Sequence, residues 1–240
     1  MKKKKLVLCL FVICLISVTS CSRKSYMDVN ELFPDKEGIT CTEDSVSFDE
    51  RHTAKLFSDC EVAAGEGFVV SYTVQGNDPE YLYANSGGLY IEYEDEVEEE
   101  IEGFGKKLWH NVIIFHDPWG QTYANATVYI IENSPYGKKD DGAYYNTDMP
   151  FAKASNPVTV TIVYYEEAYY IELDHSCTIK LTADMVPNFA ERVDVERFFG
   201  AGARKIGFRA AGTGATFSKV NYSIGNEAAK AAIEEMDFKK

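Results

Sequence analysis

The sequence predicts an all-β protein, a two-sheet antiparallel sandwich closed by a short C-terminal helix. Three observations predict it. Between residues 38 and 225 apolar side chains recur with period two, which on a pleated strand places them on one face. Turn sequences separate these runs at short intervals: Gly76-Asn77-Asp78-Pro79, Ser86-Gly87-Gly88, Asp117-Pro118-Trp119-Gly120 and Gly212-Thr213-Gly214. No long helical pattern lies between them, which favours antiparallel layers over a parallel sheet with helical crossovers.

The chain opens on Met1 and four lysines, Lys2 to Lys5, followed by an apolar run from Leu6 to Ile16. A basic start and an apolar stretch of this length read as an export signal over residues 1–20. The run is too short to cross a ~30 Å hydrocarbon core comfortably. Val18-Thr19-Ser20-Cys21 resembles a bacterial lipobox. That resemblance implies a diacylglycerol on the Cys21 sulfur and cleavage that leaves Cys21 first. Two or three acyl chains give stable anchoring where one does not. The expected partner of the N-terminus is therefore the lipid bilayer, and the expected location is extracytoplasmic, on the surface or periplasmic face of a bacterial membrane. Residues 21–37 are polar, with little periodicity and with Pro34, and read as a lipidated tether.

The sandwich is expected over residues 38–225. Phe68, Val70, Tyr72 and Val74 share one face, as do Leu89, Ile91 and Tyr93, and Val158, Val160, Ile162 and Tyr164. The pattern recurs in Tyr169-Ile171-Leu173, Cys177-Ile179-Leu181 and Ile206-Phe208. In the last strand Phe217 has odd parity, whereas Val220, Tyr222 and Ile224 have even parity. A one-residue slip near Ser218-Lys219 predicts a β-bulge. Residues Ala183–Phe199 suggest one short helix with Pro187 near its start. Asn226–Met236 reads as a terminal helix with Asn226 as N-cap, within a C-terminal segment 226–240.

Two stretches carry a family resemblance. Val158–Asp174, VTVTIVYYEEAYYIELD, resembles the paired strands of concanavalin-A-like lectin/glucanase jelly rolls, the group that includes laminin-G modules. Ile206–Gly225, IGFRAAGTGATFSKVNYSIG, is similar to their closing strands. The sequence departs from them at Glu166-Glu167-Ala168, where such hairpins usually carry a glycine. The resemblance implies a jelly-roll sandwich and a choice among lectin, glycosidase and adhesion module. The fold alone does not choose.

Charge narrows the choice. The chain carries 24 basic and 38 acidic side chains, a formal −14. Removing the four lysines of residues 1–20 leaves 20 against 38, or −18. Such a body repels phosphate backbones, so nucleic acid is not an expected partner. Eight of the acids fall in the eleven residues Glu92–Glu102. On a strand Glu92, Glu94 and Glu96 share one face at about 6.6 Å per step, a spacing that could serve glycoside hydrolysis. Laminarinase-type glucanases of the same group carry Glu-x-Asp-x-Glu, and the resemblance would make Glu92 nucleophile and Glu96 acid/base. Glu94 stands in place of the middle Asp, and the acids continue beyond it, which reads as a solvated, self-repelling segment.

The same run, and more weakly Asp140 and Asp141, offers oxygens that would suit Ca²⁺, without the spacing of a dedicated loop. No cofactor is otherwise expected. Trp119 sits in a turn where an indole is placed to stack on the apolar face of a sugar. His116, Asp117, Gln121 and Tyr123 flank it with groups that bond hydroxyls. His110 and His116 lack a third zinc ligand nearby, and no Gly-x-Ser-x-Gly elbow or phosphate loop occurs. After signal removal and lipidation three cysteines remain. Cys41 and Cys60 could close a loop of ~20 residues as a disulfide, or all three could be reduced. Cys177 has inward register with Ile179 and Leu181.

The leading expectation is a lipid-anchored, surface-exposed protein whose jelly-roll domain binds glycan or cell-envelope polysaccharide without catalysis. The alternative is a retaining glycoside hydrolase using Glu92 and Glu96. A protein-interaction or envelope-structural module is the third reading.

Overall fold

The computed structural model describes residues 26–49, 53–77, 87–93, 110–116, 127–133, 142–146, 157–175, 177–184, 193–210, 214–236 and 238. Their strands are β1 (Ile39–Cys41), β2 (Ser45–Phe48), β3 (Ala54–Val62), β4 (Phe68–Gly76), β5 (Gly87–Tyr93), β6 (His110–His116) and β7 (Thr127–Asn133), followed by β8 (Gly142–Asn146), β9 (Val158–Tyr165), β10 (Ala168–Leu173), β11 (Cys177–Leu181), β12 (Arg204–Ala210) and β13 (Ala215–Ile224). They form a seven-stranded sheet, β1-β2-β13-β4-β9-β10-β11, and a six-stranded sheet, β3-β12-β5-β6-β7-β8. Every described pairing is antiparallel, so the expected two-sheet jelly-roll sandwich is the observed fold.

The period-two faces meet between the layers. Phe208 of β12 and Phe217 of β13 stack across the two sheets at 4.2 Å and 7°, and both are fully buried. The bulge in β13 is real. Ser218 pairs with Thr73 and Asn221 with Ser71, so three steps on β13 oppose two on β4. Lys219 takes φ +52 there, which turns Val220 back into the core after Phe217.

Two expectations are corrected by packing. Residues 26–37 are part of the body. A short helix α1 (Val29–Leu32) carries Val29 and Leu32 inward, and Phe33 fills the open edge between the layers. Its ring meets Phe48 at 6.1 Å and Phe57 at 5.7 Å, one from each sheet. Met27 N–H donates to Val220 O, and Lys55 pairs with Asp35 at 2.5 Å. Any tether therefore ends before Tyr26.

A short helix falls within Ala183–Phe199 as expected, α2 (Val195–Phe199) with Asp194 as its N-cap, while Pro187 lies outside the described residues. The terminal helix α3 (Asn226–Glu235) starts from Gly225, whose φ of +129 favours glycine. Asn226 does not cap it. Its carboxamide oxygen accepts from Gly67 N–H at 2.7 Å, and its nitrogen lies 3.4 Å from Gly65 O. Gly67 is needed at this crossing, because a Cβ would stand 2.7 Å from Tyr164 O and 2.9 Å from the Ala229 side chain.

The sequence leaves Cys41 and Cys60 either bridged or reduced. Cys41 and Cys60 are free thiols on β1 and β3, edge strands of opposite sheets, so the pair suggested by the loop length is not bridged. Burial pushes the Cys60 thiol above its ordinary pKa. Cys177 is half-buried against the core. One polar residue of the inner face stands out. Asn111 of β6 is buried opposite Ile91, and neither atom of its carboxamide has a hydrogen-bond partner among the described residues.

Candidate functional site

The concavity of the described residues lies where β9 turns into β10 and α2 runs into β12. The turn is Glu166-Glu167, a two-residue hairpin with φ +47 and +58. Positive φ at both centres is what such a hairpin needs to match strand twist, and glycine or asparagine meets that need at least cost. Two glutamates there carry backbone strain at the cleft edge.

Beneath the turn, tyrosines and one arginine organise the Phe198–Gly202 backbone. Tyr164 at the end of β9 directs its hydroxyl to Phe199 O at 3.0 Å and Gly200 O at 2.7 Å. Tyr169 of β10 donates to Phe198 O at 3.1 Å and accepts from Arg204 Nη1 at 2.9 Å. Arg204 also donates from Nε to Gly202 O at 3.2 Å and from Nη2 to Gly200 O. Its guanidinium lies 4.0 Å from the Tyr164 ring centre and 5.8 Å from that of Tyr93. Arg197 also lies 5.8 Å from the Tyr93 ring centre.

Arg204 is only 1% exposed and forms no ion pair among the described residues, where phenols, ring faces and carbonyls hold its charge. Burial opposes the charge, but Tyr169, Tyr93 and Tyr164 together outweigh it and raise the pKa of the guanidinium. Burial pushes Tyr169 up to about 12, with Arg204 pulling the other way. Tyr164 is raised for the same first reason. Arg197 is lowered by burial, with Tyr93 opposing.

Above this floor open two adjoining depressions. The larger, about 690 Å³, is lined by Tyr93, Glu167, Asp194, Glu196, Arg197 and the Gly200–Ala203 backbone. The smaller, about 370 Å³, is bounded by Tyr164, Tyr165, Glu166 and Asn226 and shares Glu167 and Ala201 with the first. Asp194 is partly engaged: Oδ1 accepts from Arg197 N–H at 3.1 Å, and Oδ2 lies 3.8 Å from Arg197 Nε. The lining thus offers carboxylate acceptors at Glu167, Asp194 and Glu196 alongside guanidinium and main-chain donors. Among the described residues no group of three or more metal-ligating side chains comes together.

Of the residues singled out from sequence for catalysis or sugar binding, Glu92 and His116 are described, and neither lines the cleft. Glu92 lies on the outer face of the six-stranded sheet, opposite Lys205 and His110, and accepts from Tyr90 O–H at 2.9 Å. Glu94, Glu96, Asp117, Trp119, Gln121, Tyr123, Asp140, Asp141 and Cys21 lie outside the described residues. His116 ends β6, paired with Thr127. Because Glu92 pairs with His110 and Gly88 with Ile114, His116 stands at the sheet end away from Tyr93 and the cleft. The cleft residues had one sequence signal. Arg204 shares the parity of Ile206, Phe208 and Ala210, a charged side chain in core register.

Fold and site define a two-sheet jelly-roll protein with an open polar cleft at one rim of the sandwich. No family model matches the chain, and no curated protein matches it. Among solved structures it is similar to a carbohydrate-binding module, CBM66 from Bacillus subtilis, at 9% identity over 77% of this chain and 90% of that one, with a TM-score of 0.43. It is similar to the Ca²⁺/Man-bound exoplasmic/lumenal domain of VIP36 at 12% identity, covering 79% and 80%, with a TM-score of 0.43. The globular domain of T. cruzi calreticulin gives 16% identity, 86% and 91% coverage, and a TM-score of 0.41. The fold assignment rests on the strand pairing itself.

Proposed function

We propose that the chain is a bacterial lipoprotein, held outside the cytoplasm by acylated Cys21, whose jelly-roll domain binds glycan at the rim cleft without acting on it chemically. The cleft carries this reading. Its walls combine acceptors at Glu167 and Glu196 with donors at Arg197 and the backbone N–H groups of Ala201 and Gly202. A ligand that both donates and accepts many hydrogen bonds satisfies that lining, whereas an apolar one would leave it unpaired. The larger depression is of the size that encloses a small-molecule ligand. The anchoring half of the proposal rests on the Val18–Cys21 motif and the basic-apolar segment before it.

The test is a glycan array probed with detergent-solubilised full-length protein, with Glu167→Gln and Glu196→Gln alongside. Binding to at least one glycan, weakened about tenfold by either substitution, supports the reading. A blank array, or binding that neither substitution moves, overturns the cleft as a glycan site. Trp119→Ala tests a separate contact at the Asp117–Tyr123 segment, and loss there alone would move the site to that end. Replacing Cys21 by serine should release the protein from membranes into the soluble fraction.

A further inference from the structure

Resting on the glycan reading, the arrangement of the cleft floor narrows the ligand class. We infer that the floor is an anion subsite that takes the carboxylate of an acidic sugar. The inference starts from where the loop carbonyls go. Phe198 O accepts from Tyr169, Phe199 O from Tyr164, and Gly200 O from Tyr164 and Arg204. Ala201 O accepts from Gly65 N–H at 2.8 Å, and Gly202 O from Arg204 Nε. Five successive carbonyls are therefore tied into the body of the protein.

None of the described peptide bonds is cis, and in a trans peptide the N–H points away from the C=O of the same plane. Fixing the Gly200 carbonyl on Tyr164 and Arg204 thus turns the Ala201 N–H away from the body. Fixing the Ala201 carbonyl on exposed Gly65, which lines the smaller depression, turns the Gly202 N–H away from that depression. Both residues are exposed and line the larger depression, and neither N–H has a protein acceptor among the described residues. They are donors held in place with only the cleft before them.

Charge sits behind and beside those donors. Arg204 lies under the loop with no carboxylate of the described residues within ion-pair distance, and Arg197 stands in the wall. Arg204 does not meet the ligand; it supplies a positive field from a low-dielectric site. The opposing groups are Asp194, Glu167 and Glu196. Asp194 is turned toward Arg197, and Glu167 and Glu196 are left to accept hydroxyls. A sugar ring bearing both hydroxyls and a carboxylate fits that division: carboxylate on the N–H groups and Arg197, hydroxyls on the glutamates. The −18 of the body acts on it mainly at long range, where salt screens beyond about 8–10 Å.

The experiment uses full-length protein and oligomers of galacturonate, glucuronate and sialate, each beside its methyl ester. At least one acid should bind, with its ester weaker by about tenfold or more. Gly202→Pro deletes one N–H and should cost a similar factor. Gly202→Ala keeps the N–H, places its Cβ where nothing lies within 4 Å, and should bind within about twofold of the parent. Arg197→Gln supplies a second variant should the proline disturb folding, and should weaken the acid while sparing the ester. Equal binding of acid and ester, or equal behaviour of the Pro and Ala variants when both fold, overturns the anion subsite. So does binding confined to neutral glycans, which leaves the glycan reading standing. An array blank for every glycan overturns both.

Discussion

The two ends of the sandwich interior solve the same problem with different chemistry. Toward Gly76 and Ala210, Phe33, Phe48, Phe57, Phe208 and Phe217 pack ring on ring. Toward Tyr93 and Arg204 the fill is phenolic and cationic, with Tyr164, Tyr169 and Arg204 bonded to loop carbonyls. Apolar burial is non-directional, so the first end joins the two sheets without fixing any particular backbone atom. Hydrogen bonds are directional, so the second end fixes a loop peptide by peptide. That difference is why the cleft lies over the polar end.

Breaking either end separates the two roles. Phe208→Ala removes the ring stacked on Phe217 and is expected to cost about 3–5 kcal/mol in denaturant unfolding, with ligand affinity of the folded fraction unchanged. Arg204→Met keeps the volume but orphans Gly202 O and weakens the anchoring of Gly200 O and Tyr169. It is expected to cost about 3 kcal/mol and, unlike Phe208→Ala, to abolish binding with the loop freed. Arg204→Lys should restore neither property, since an ammonium cannot span three acceptors in one plane.

The polar end also makes stability depend on alkaline pH. Tyr169 titrates near 12 in the folded protein against an ordinary 10.0. Its folded pKa is raised, so its contribution is complete below pH 10 and is lost as pH climbs toward 12. The melting temperature should be level to about pH 9 and fall above 10, and Tyr169→Phe should flatten that fall.

Smaller effects sharpen the contrast. Glu167→Gly relieves one positive-φ side chain and should add about 1 kcal/mol of stability while weakening glycan binding. Asn111→Leu replaces a buried, unpaired carboxamide on the inner face and should add about 1 kcal/mol with binding untouched. A loss of stability in the second variant would mean that the carboxamide contributes to the fold.

Much of this was legible beforehand, and the failures have a common cause. The strand faces of β4, β5 and β9 and the bulge at Lys219 follow from parity alone, because a pleated strand sorts neighbours to opposite sides. Residues 26–33 read as tether because Val29, Leu32 and Phe33 make one helical turn, too short to stand out as a periodic signal. Asn226 read as a cap because its local sequence suits one, yet Gly67, 159 residues away in sequence, claims its side chain. Cys41 and Cys60 are near in sequence but belong to different sheets.

The sequence by itself determined the class of fold, the face of each strand and the acidic balance of the body, since these depend on residue type and on neighbours two positions away. Only the tertiary structure decided where the cleft lies. Its floor is made by tyrosines of β9 and β10 reaching carbonyls some 30 residues later, and by an arginine whose core register the parity shows but whose partners no local pattern encodes. Hydrogen bonds between segments far apart in the chain exist only once the sheets have brought them together.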